Sequence, residues 1–176
     1  MAEIIKTYRQ SVVATRFIGK KYGDKDRDEH GGFGTKWGEW HATGLFDVIE
    51  KQIPENWSEI QEDGGAYIGL MRWKDGEPFQ YWIGMFTPEN TVVPEGFGYI
   101  DFDASDLGVC WVYGKMEDGE IFCQEEKCAE KLTEEGFEIA VDKEGAYWHF
   151  ERYACPRFTI PDEKGNVILD ICFHVK

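Results

Sequence analysis

One segment of this chain occurs twice, and that repeat constrains its fold more than any other feature. Ala66-Tyr67-Ile68-Gly69-Leu70-Met71-Arg72-Trp73 is echoed by Ala146-Tyr147-Trp148-His149-Phe150-Glu151-Arg152-Tyr153. Ala, Tyr and Arg recur in register, Leu70 aligns with Phe150, and Trp73 aligns with Tyr153. Met71 in the first copy becomes Glu151 in the second. Both segments are rich in aromatic and β-branched residues and read as strands. A repeat of this kind implies two similar halves with a groove between them. A carboxylate at a position that is apolar in the other half marks the groove, either as a counter-charge for a ligand or as an acid–base group.

The repeat reaches further. Phe17-Ile18-Gly19-Lys20 matches Val112-Tyr113-Gly114-Lys115, each closing a β-rich run, Val12–Ile18 and Leu107–Tyr113. Trp82-Ile83-Gly84-Met85-Phe86 follows the first copy as Leu169-Asp170-Ile171-Cys172-Phe173 follows the second. Turn signals join each pair, Lys74-Asp75-Gly76 and Asp162-Glu163-Lys164-Gly165-Asn166. Three- and four-residue apolar spacing predicts a helix over Trp37–Ile53, with Gly38 and Gly44 weakening it. A second helix is predicted over Gln124–Glu135, with Cys128, Ala129 and Leu132 as its stripe and Gly136 as its stop. Each half thus reads strand, helix, strand, strand, the halves covering about 1–92 and about 93–176. A half of this size buries little core alone, so 1–176 is expected to fold as one unit.

Acidic balance excludes several function classes. The formal net charge is −15 at pH 7. Nonspecific nucleic-acid binding rests on Lys and Arg neutralising phosphates, so no direct nucleic-acid partner is expected. Anionic membrane surfaces are disfavoured as well, and no apolar run is long enough for a membrane span. Cationic ligands are compatible with this charge. Met1-Ala2-Glu3 opens no signal peptide, and five cysteines without CxxC spacing read as reduced thiols, so a cytoplasmic location is expected. No metal or other cofactor is expected, since Cys123 and Cys128 lack further ligands at zinc spacing. Phosphate-cradling loops, nucleophile elbows and helix-turn-helix motifs are absent. The glycine-rich, charged stretch Gly23–Thr35 lacks Ca²⁺-loop spacing and reads as a solvated, mobile loop over one mouth of the groove. Twelve Phe, eight Tyr and seven Trp are enough to fill a core and also line a pocket.

Strand parity sorts the repeated segments by face. Ile68 and Leu70 share one face, and Tyr67, Gly69, Met71 and Trp73 share the other. Trp148, Phe150 and Ala154 share one face, and Tyr147, His149, Glu151 and Tyr153 share the other. The apolar faces are expected against the helices and the mixed faces in the groove. Arg72 and Arg152 are expected where the strands emerge beyond the helices. Glu151, flanked by aromatic groups, is expected to have a raised pKa unless it pairs with an Arg or lies at a wet edge.

Four further segments recur in a recognisable order: Tyr81-Trp82-Ile83-Gly84-Met85-Phe86, Val93-Pro94-Glu95-Gly96-Phe97, Leu107-Gly108-Val109-Cys110-Trp111-Val112-Tyr113-Gly114 and Phe150-Glu151-Arg152-Tyr153. In this combination the chain, from about Val12 to Val175, resembles the GyrI-like small-molecule-binding domains, the AraC-type or bacterial transcription activator effector-binding domains built on the SHS2 module. The resemblance implies an α+β fold of duplicated strand-helix-strand-strand modules with pseudo-twofold symmetry. It implies a curved antiparallel sheet with helices on the outer face and a central ligand cleft on its concave side. It implies a stand-alone member, without fused DNA-binding helices, whose cleft glutamate is Glu151.

The lead expectation is binding of a hydrophobic, cationic aromatic small molecule, in multidrug or effector sensing or in toxin sequestration. Candidate ligand-binding residues are Glu151, Tyr147, His149, Tyr153, Tyr67, Met71, Trp73 and Trp111, the last included because the resemblance puts its strand beside the cleft. One alternative is a hydrolase of reactive cyclopropane-type toxins, with Glu151 catalytic and Tyr147, Tyr153 and Trp111 positioning it. Another is a gyrase-inhibitor-like role with a protein partner, gyrase or a regulator. A non-enzymatic domain is favoured, because a lone carboxylate contributes only about 10²- to 10⁴-fold through proton transfer.

Overall fold

The two copies of the repeat form neighbouring strands at the centre of one sheet. The computed structural model describes residues 1–117 and 119–176. Its strands are β1 (Glu3–Val12), β2 (Thr15–Tyr22), β3 (Tyr67–Trp73), β4 (Gln80–Pro88), β5 (Gly98–Phe102), β6 (Ser105–Gly114), β7 (Tyr147–Tyr153) and β8 (Val167–Val175). Its helices are α1 (Gly34–Thr43), α2 (Leu45–Glu50), α3 (Trp57–Ile60) and α4 (Glu125–Glu134). All strands join one antiparallel sheet in the order β1-β6-β8-β7-β3-β4-β2-β5.

That order is palindromic about the β7–β3 junction. Leu70 is the partner of Phe150 across the ladder as well as in the sequence repeat, so a pseudo-twofold axis passes through this pair. Each half is completed by a strand from the far side. β1, which precedes β2, pairs with β6, and β5, which precedes β6, pairs with β2. β1 was not foreseen; most of its side chains are exposed or half-exposed, so it carries little apolar alternation. β5 is a short strand that follows directly on the turn closed by the Phe97 N–H donating to the Pro94 carbonyl.

The sheet curls strongly. β5 and β7 are four ladder steps apart, about 19 Å in a flat sheet, yet the Phe102 and Trp148 ring centroids are 5.5 Å apart. Phe102 also stacks on His174 of β8 at 5.2 Å. The concave face therefore closes on itself around Phe17, Ile68, Leu70, Leu107, Val109, Phe150 and Cys172. Helices α1, α2 and α4 sit on the convex, outer face. Trp40, Phe46 and Ile49 cover Ile18, Met71, Tyr81, Ile83 and Met85, and Cys128 and Leu132 cover Cys110, Val112, Leu169, Ile171 and Phe173.

This corrects the expected use of the two faces. The apolar Ile68/Leu70 and Trp148/Phe150 faces pack against each other inside the curl, and the mixed faces carry both the helices and the cleft between them. Alternation separates two faces of a strand but does not say which way the sheet bends. The first helix is also interrupted. Gly44, at φ 67°, caps α1 in the left-handed region and α2 starts anew, so the run predicted over Trp37–Ile53 is two short helices. α4 follows its predicted span closely.

Candidate functional site

The pseudo-symmetry breaks at a pair of positions in the central ladder, and the site is built there. Across the β3–β7 ladder Glu151 faces Gly69, whereas its symmetry mate Met71 faces His149. Gly69 does not have positive φ, so it is not there for backbone freedom. A Cβ on it would lie 2.5 Å from the Tyr81 hydroxyl oxygen and 2.9 Å from Glu151 Oε2. Its missing side chain leaves the room in which carboxylate and hydroxyl meet.

Glu151 is 5% exposed. Tyr153 donates its hydroxyl to Oε2 at 2.7 Å and Tyr81 donates to the same oxygen at 3.2 Å. Trp37 Nε1 donates to the Tyr81 hydroxyl at 2.9 Å, extending the chain to α1. Oε1 has no hydrogen-bond partner among the described residues and is not sealed in the interior, so it is the oxygen presented to the cavity. Burial pushes the Glu151 carboxyl up to about 7, against the opposing pull of the Tyr153 and Tyr81 hydrogen bonds and with the charge of Glu125 adding to the rise. Burial and the Glu151 charge push the hydroxyls of Tyr81 and Tyr153 well above their ordinary value. Glu151 thus neither pairs with an Arg nor lies at a wet edge.

Around this floor lies a cavity of about 660 Å³, within the range of roughly 300–1,000 Å³ typical of drug-sized ligands. β3, β4 and β7 supply Tyr67, Met71, Tyr81, Glu151 and Tyr153. α1 supplies Trp37 and His41, and the segment leading into α4 supplies Phe122, Cys123 and Glu125. Phe79 and Phe158 complete the aromatic wall. Burial raises the Glu125 carboxyl as well. A cavity on the concave side, bordered by Arg152 and His174, holds only about 30 Å³, room for about one water.

The Gly23–Thr35 stretch is largely solvent-exposed, as expected, but its backbone is tied by an internal hydrogen-bond network rather than left loose. Asp28 accepts from the backbone N–H of His30 and Gly32 at 3.0 Å each and of Gly34 at 2.9 Å. Arg27 donates to Asp24 and to the Gly31 carbonyl, both at 2.8 Å, with its guanidinium 4.9 Å from the Phe33 ring. Phe33 stacks on Tyr81 at 4.1 Å with the planes 3° apart. The stretch does border the cleft, as expected, through Arg27, His30 and Phe33.

Of the sequence-derived residues, Glu151, Tyr153, Tyr67 and Met71 come together in the cavity. Tyr67 stacks on Phe46 at 3.7 Å and donates to Glu50 at 2.9 Å. Four others do not reach it. Tyr147 and Trp73 share the correct face but lie at the far strand ends, exposed and paired with each other at 5.9 Å. His149 is covered by Phe173 at 5.1 Å, and burial pushes its imidazole down to about 4. Trp111 points to the concave side, edge-on to Tyr8 at 6.0 Å, because it is out of phase with Cys110 and Val112 on the helix face. Tyr81 was missed although the signal was present: it pairs with Met71 across the β3–β4 ladder and so shares the groove face.

The arginines of the repeat also differ from expectation. Arg152 is 4% exposed on the concave side, donating to Asp170 at 2.8 Å, Gln10 at 2.8 Å and Tyr8 at 3.3 Å. Arg157 joins Asp170 to Asp63 with bonds of 2.8, 3.1 and 2.7 Å. Arg72 is buried and pairs with Glu77 at 2.6 Å and Glu144 at 3.0 Å. Among the described residues no group of three or more His, Cys, Asp or Glu is placed to hold a metal ion, and no helix is long and apolar enough to cross a membrane.

No family model and no curated protein matches the sequence. Solved structures do match its fold. SAV2435 bound to tetraphenylphosphonium is 14% identical, with 98% of this chain and 94% of that one covered and a TM-score of 0.66. The EcmrR C-terminal domain is 11% identical over 97% of both chains, with a TM-score of 0.51. The chain has the GyrI-like effector-binding fold. A protein of Staphylococcus aureus MU50 assigned to bacterial transcription regulation shares it, at 14% identity, 97% and 98% coverage and a TM-score of 0.62. Within this effector-binding fold the cavity occupies the groove between the two halves, on the helix side of the sheet.

Proposed function

We propose that the chain binds a hydrophobic, cationic aromatic small molecule, with Glu151 as counter-charge and the rings of Trp37, Tyr67, Phe79 and Phe158 as walls. The observation that carries this reading is a carboxyl buried at the floor of a roomy aromatic cavity with one oxygen open to it. Cation–π contact adds roughly 0.5–2 kcal/mol as water is excluded. Glu125 adds negative potential, and the one arginine among the lining residues, Arg27, is engaged by Asp24 and Gly31. The tetraphenylphosphonium held by SAV2435, a protein of the same fold, supports this ligand class. Such binding would serve effector sensing through a partner regulator or sequestration of a toxic compound.

The test is titration of a cationic aromatic dye into wild type and Glu151→Gln at pH 8. The variant is expected to bind about tenfold or more weakly, as removal of a desolvated charge pair predicts. Equal affinities would sink the counter-charge role. A second reading, general-base hydrolysis of a strained electrophile, is favoured by one observation: a carboxyl raised to about 7 is matched to proton transfer near neutrality. Ring opening of a cyclopropane-containing electrophile, lost in Glu151→Ala, would support it.

A further inference from the structure

The hydrogen-bond directions around Glu151 fix where its proton goes. The indole N–H of Trp37 can only donate, so at 2.9 Å it occupies a lone pair of the Tyr81 hydroxyl. The single proton of that hydroxyl then points to Glu151 Oε2, where the Tyr153 hydroxyl also donates. An acid proton on Oε2 would meet two hydroxyl protons head-on. When Glu151 is neutral its proton therefore sits on Oε1, the oxygen facing the cavity, and the group becomes a hydrogen-bond donor aimed at whatever lies there.

We propose that the cleft takes a second class of ligand, neutral aromatic molecules bearing one strong hydrogen-bond acceptor, such as phosphine oxides, N-oxides or diaryl ketones, with protonated Glu151 as the donor. This uses the cavity of the cation-binding reading but not its charge. The two classes are complementary: the carboxylate receives a cation and the acid receives an acceptor, on the same oxygen. Both forms are populated near neutrality, because burial holds the carboxyl at about 7. Tyr81 and Tyr153, raised well above the ordinary phenol value, stay protonated as donors throughout. The other titratable or charged groups facing the site are Glu125 and Cys123, both raised by burial, Tyr67 on β3, Arg27 and His30 on the loop, and His41 on α1. His149 on β7, lowered to about 4, stays neutral.

The test pairs two probes of nearly equal shape, methyltriphenylphosphonium and triphenylphosphine oxide, titrated calorimetrically into the full chain at about pH 5.5 and about pH 8.5. Wild type should bind the oxide about tenfold or more tightly at the lower pH and the phosphonium more tightly at the higher pH. In Glu151→Gln the amide oxygen takes the tyrosine bonds and the NH₂ faces the cavity. Oxide binding should persist and lose its pH dependence, which separates Glu151 from His30 and His41, while phosphonium binding weakens. Oxide that fails to bind at pH 5.5, binds equally at both pH values, or is lost in a folded Glu151→Gln overturns the proposal. Phosphonium binding alone would leave the cation reading standing without it. Oxide binding alone, tighter at the lower pH, would uphold the proposal and remove the cation reading.

Discussion

At the scale of single residues, Glu151 sets a cost that pH should reveal. Its folded-state pKa, about 7, lies above its ordinary value of 4.5. The fold therefore favours the protonated carboxyl. Stability tied to this group is fully present below the ordinary value and is lost as pH rises toward 7, up to about 3 kcal/mol. Glu151→Gln carries no such loss. Its stability relative to wild type should climb between pH 5 and pH 8, measured by urea denaturation; a flat difference would mean that the carboxyl is solvated. The position was legible from sequence because the repeat supplied its own control, Met71. The rise in pKa was legible from its aromatic neighbours. The identity of those neighbours was half legible: Tyr153 lies on the same strand two residues on, whereas Tyr81, Trp37 and Phe33 come from other elements. Only the ladder register and the helix docking bring these to the carboxylate.

At the scale of elements, the site depends on room above β3 for the side chains that arrive from β4 and β7. Gly69 supplies it, and its role can be isolated because nothing in its backbone conformation demands glycine. In Gly69→Ala the added methyl presses on the Tyr81 hydroxyl and the Glu151 carboxylate at 2.5 and 2.9 Å. Overpacking of this kind costs about 1–3 kcal/mol, so the strands should persist by circular dichroism. Affinity for a cationic dye should fall about tenfold or more, as expected when a charge-assisted contact is misplaced. Unchanged affinity would mean that Tyr81 and Glu151 shift aside freely. The strands of the repeat and α4 were legible from periodicity. The break at Gly44 was signalled only as a weakness, because glycine inside a helical pattern does not by itself tell a tolerated residue, as Gly38 is, from a left-handed cap. β1 was invisible for a different reason: an exposed edge strand has few apolar residues to alternate.

At the scale of the molecule, the two halves are held together by more than the central ladder. β1 and β5 each cross to the other half's sheet, so neither half closes its own edge. Beneath the sheet Asp63, from the segment before β3, is tied to Arg157 and Arg152 of the second half, and both arginines converge on Asp170, which has no exposure. Sequence could not show this network. Arg152 repeats Arg72, which finds separate partners in Glu77 and Glu144, and the difference lies in which acids the curl of the sheet brings near. Asp170→Asn would leave two desolvated guanidinium groups short of a counter-charge, a change that typically costs about 3–5 kcal/mol. The urea midpoint should drop by that measure with the slope unchanged, in a single transition shared by fluorescence and circular dichroism. Two separated transitions, in either protein, would mean that the halves unfold independently and that strand exchange does not couple them. Dye affinity of the folded variant should stay at the wild-type level, because Arg152 and Glu151 are adjacent in β7 but face opposite sides of the sheet.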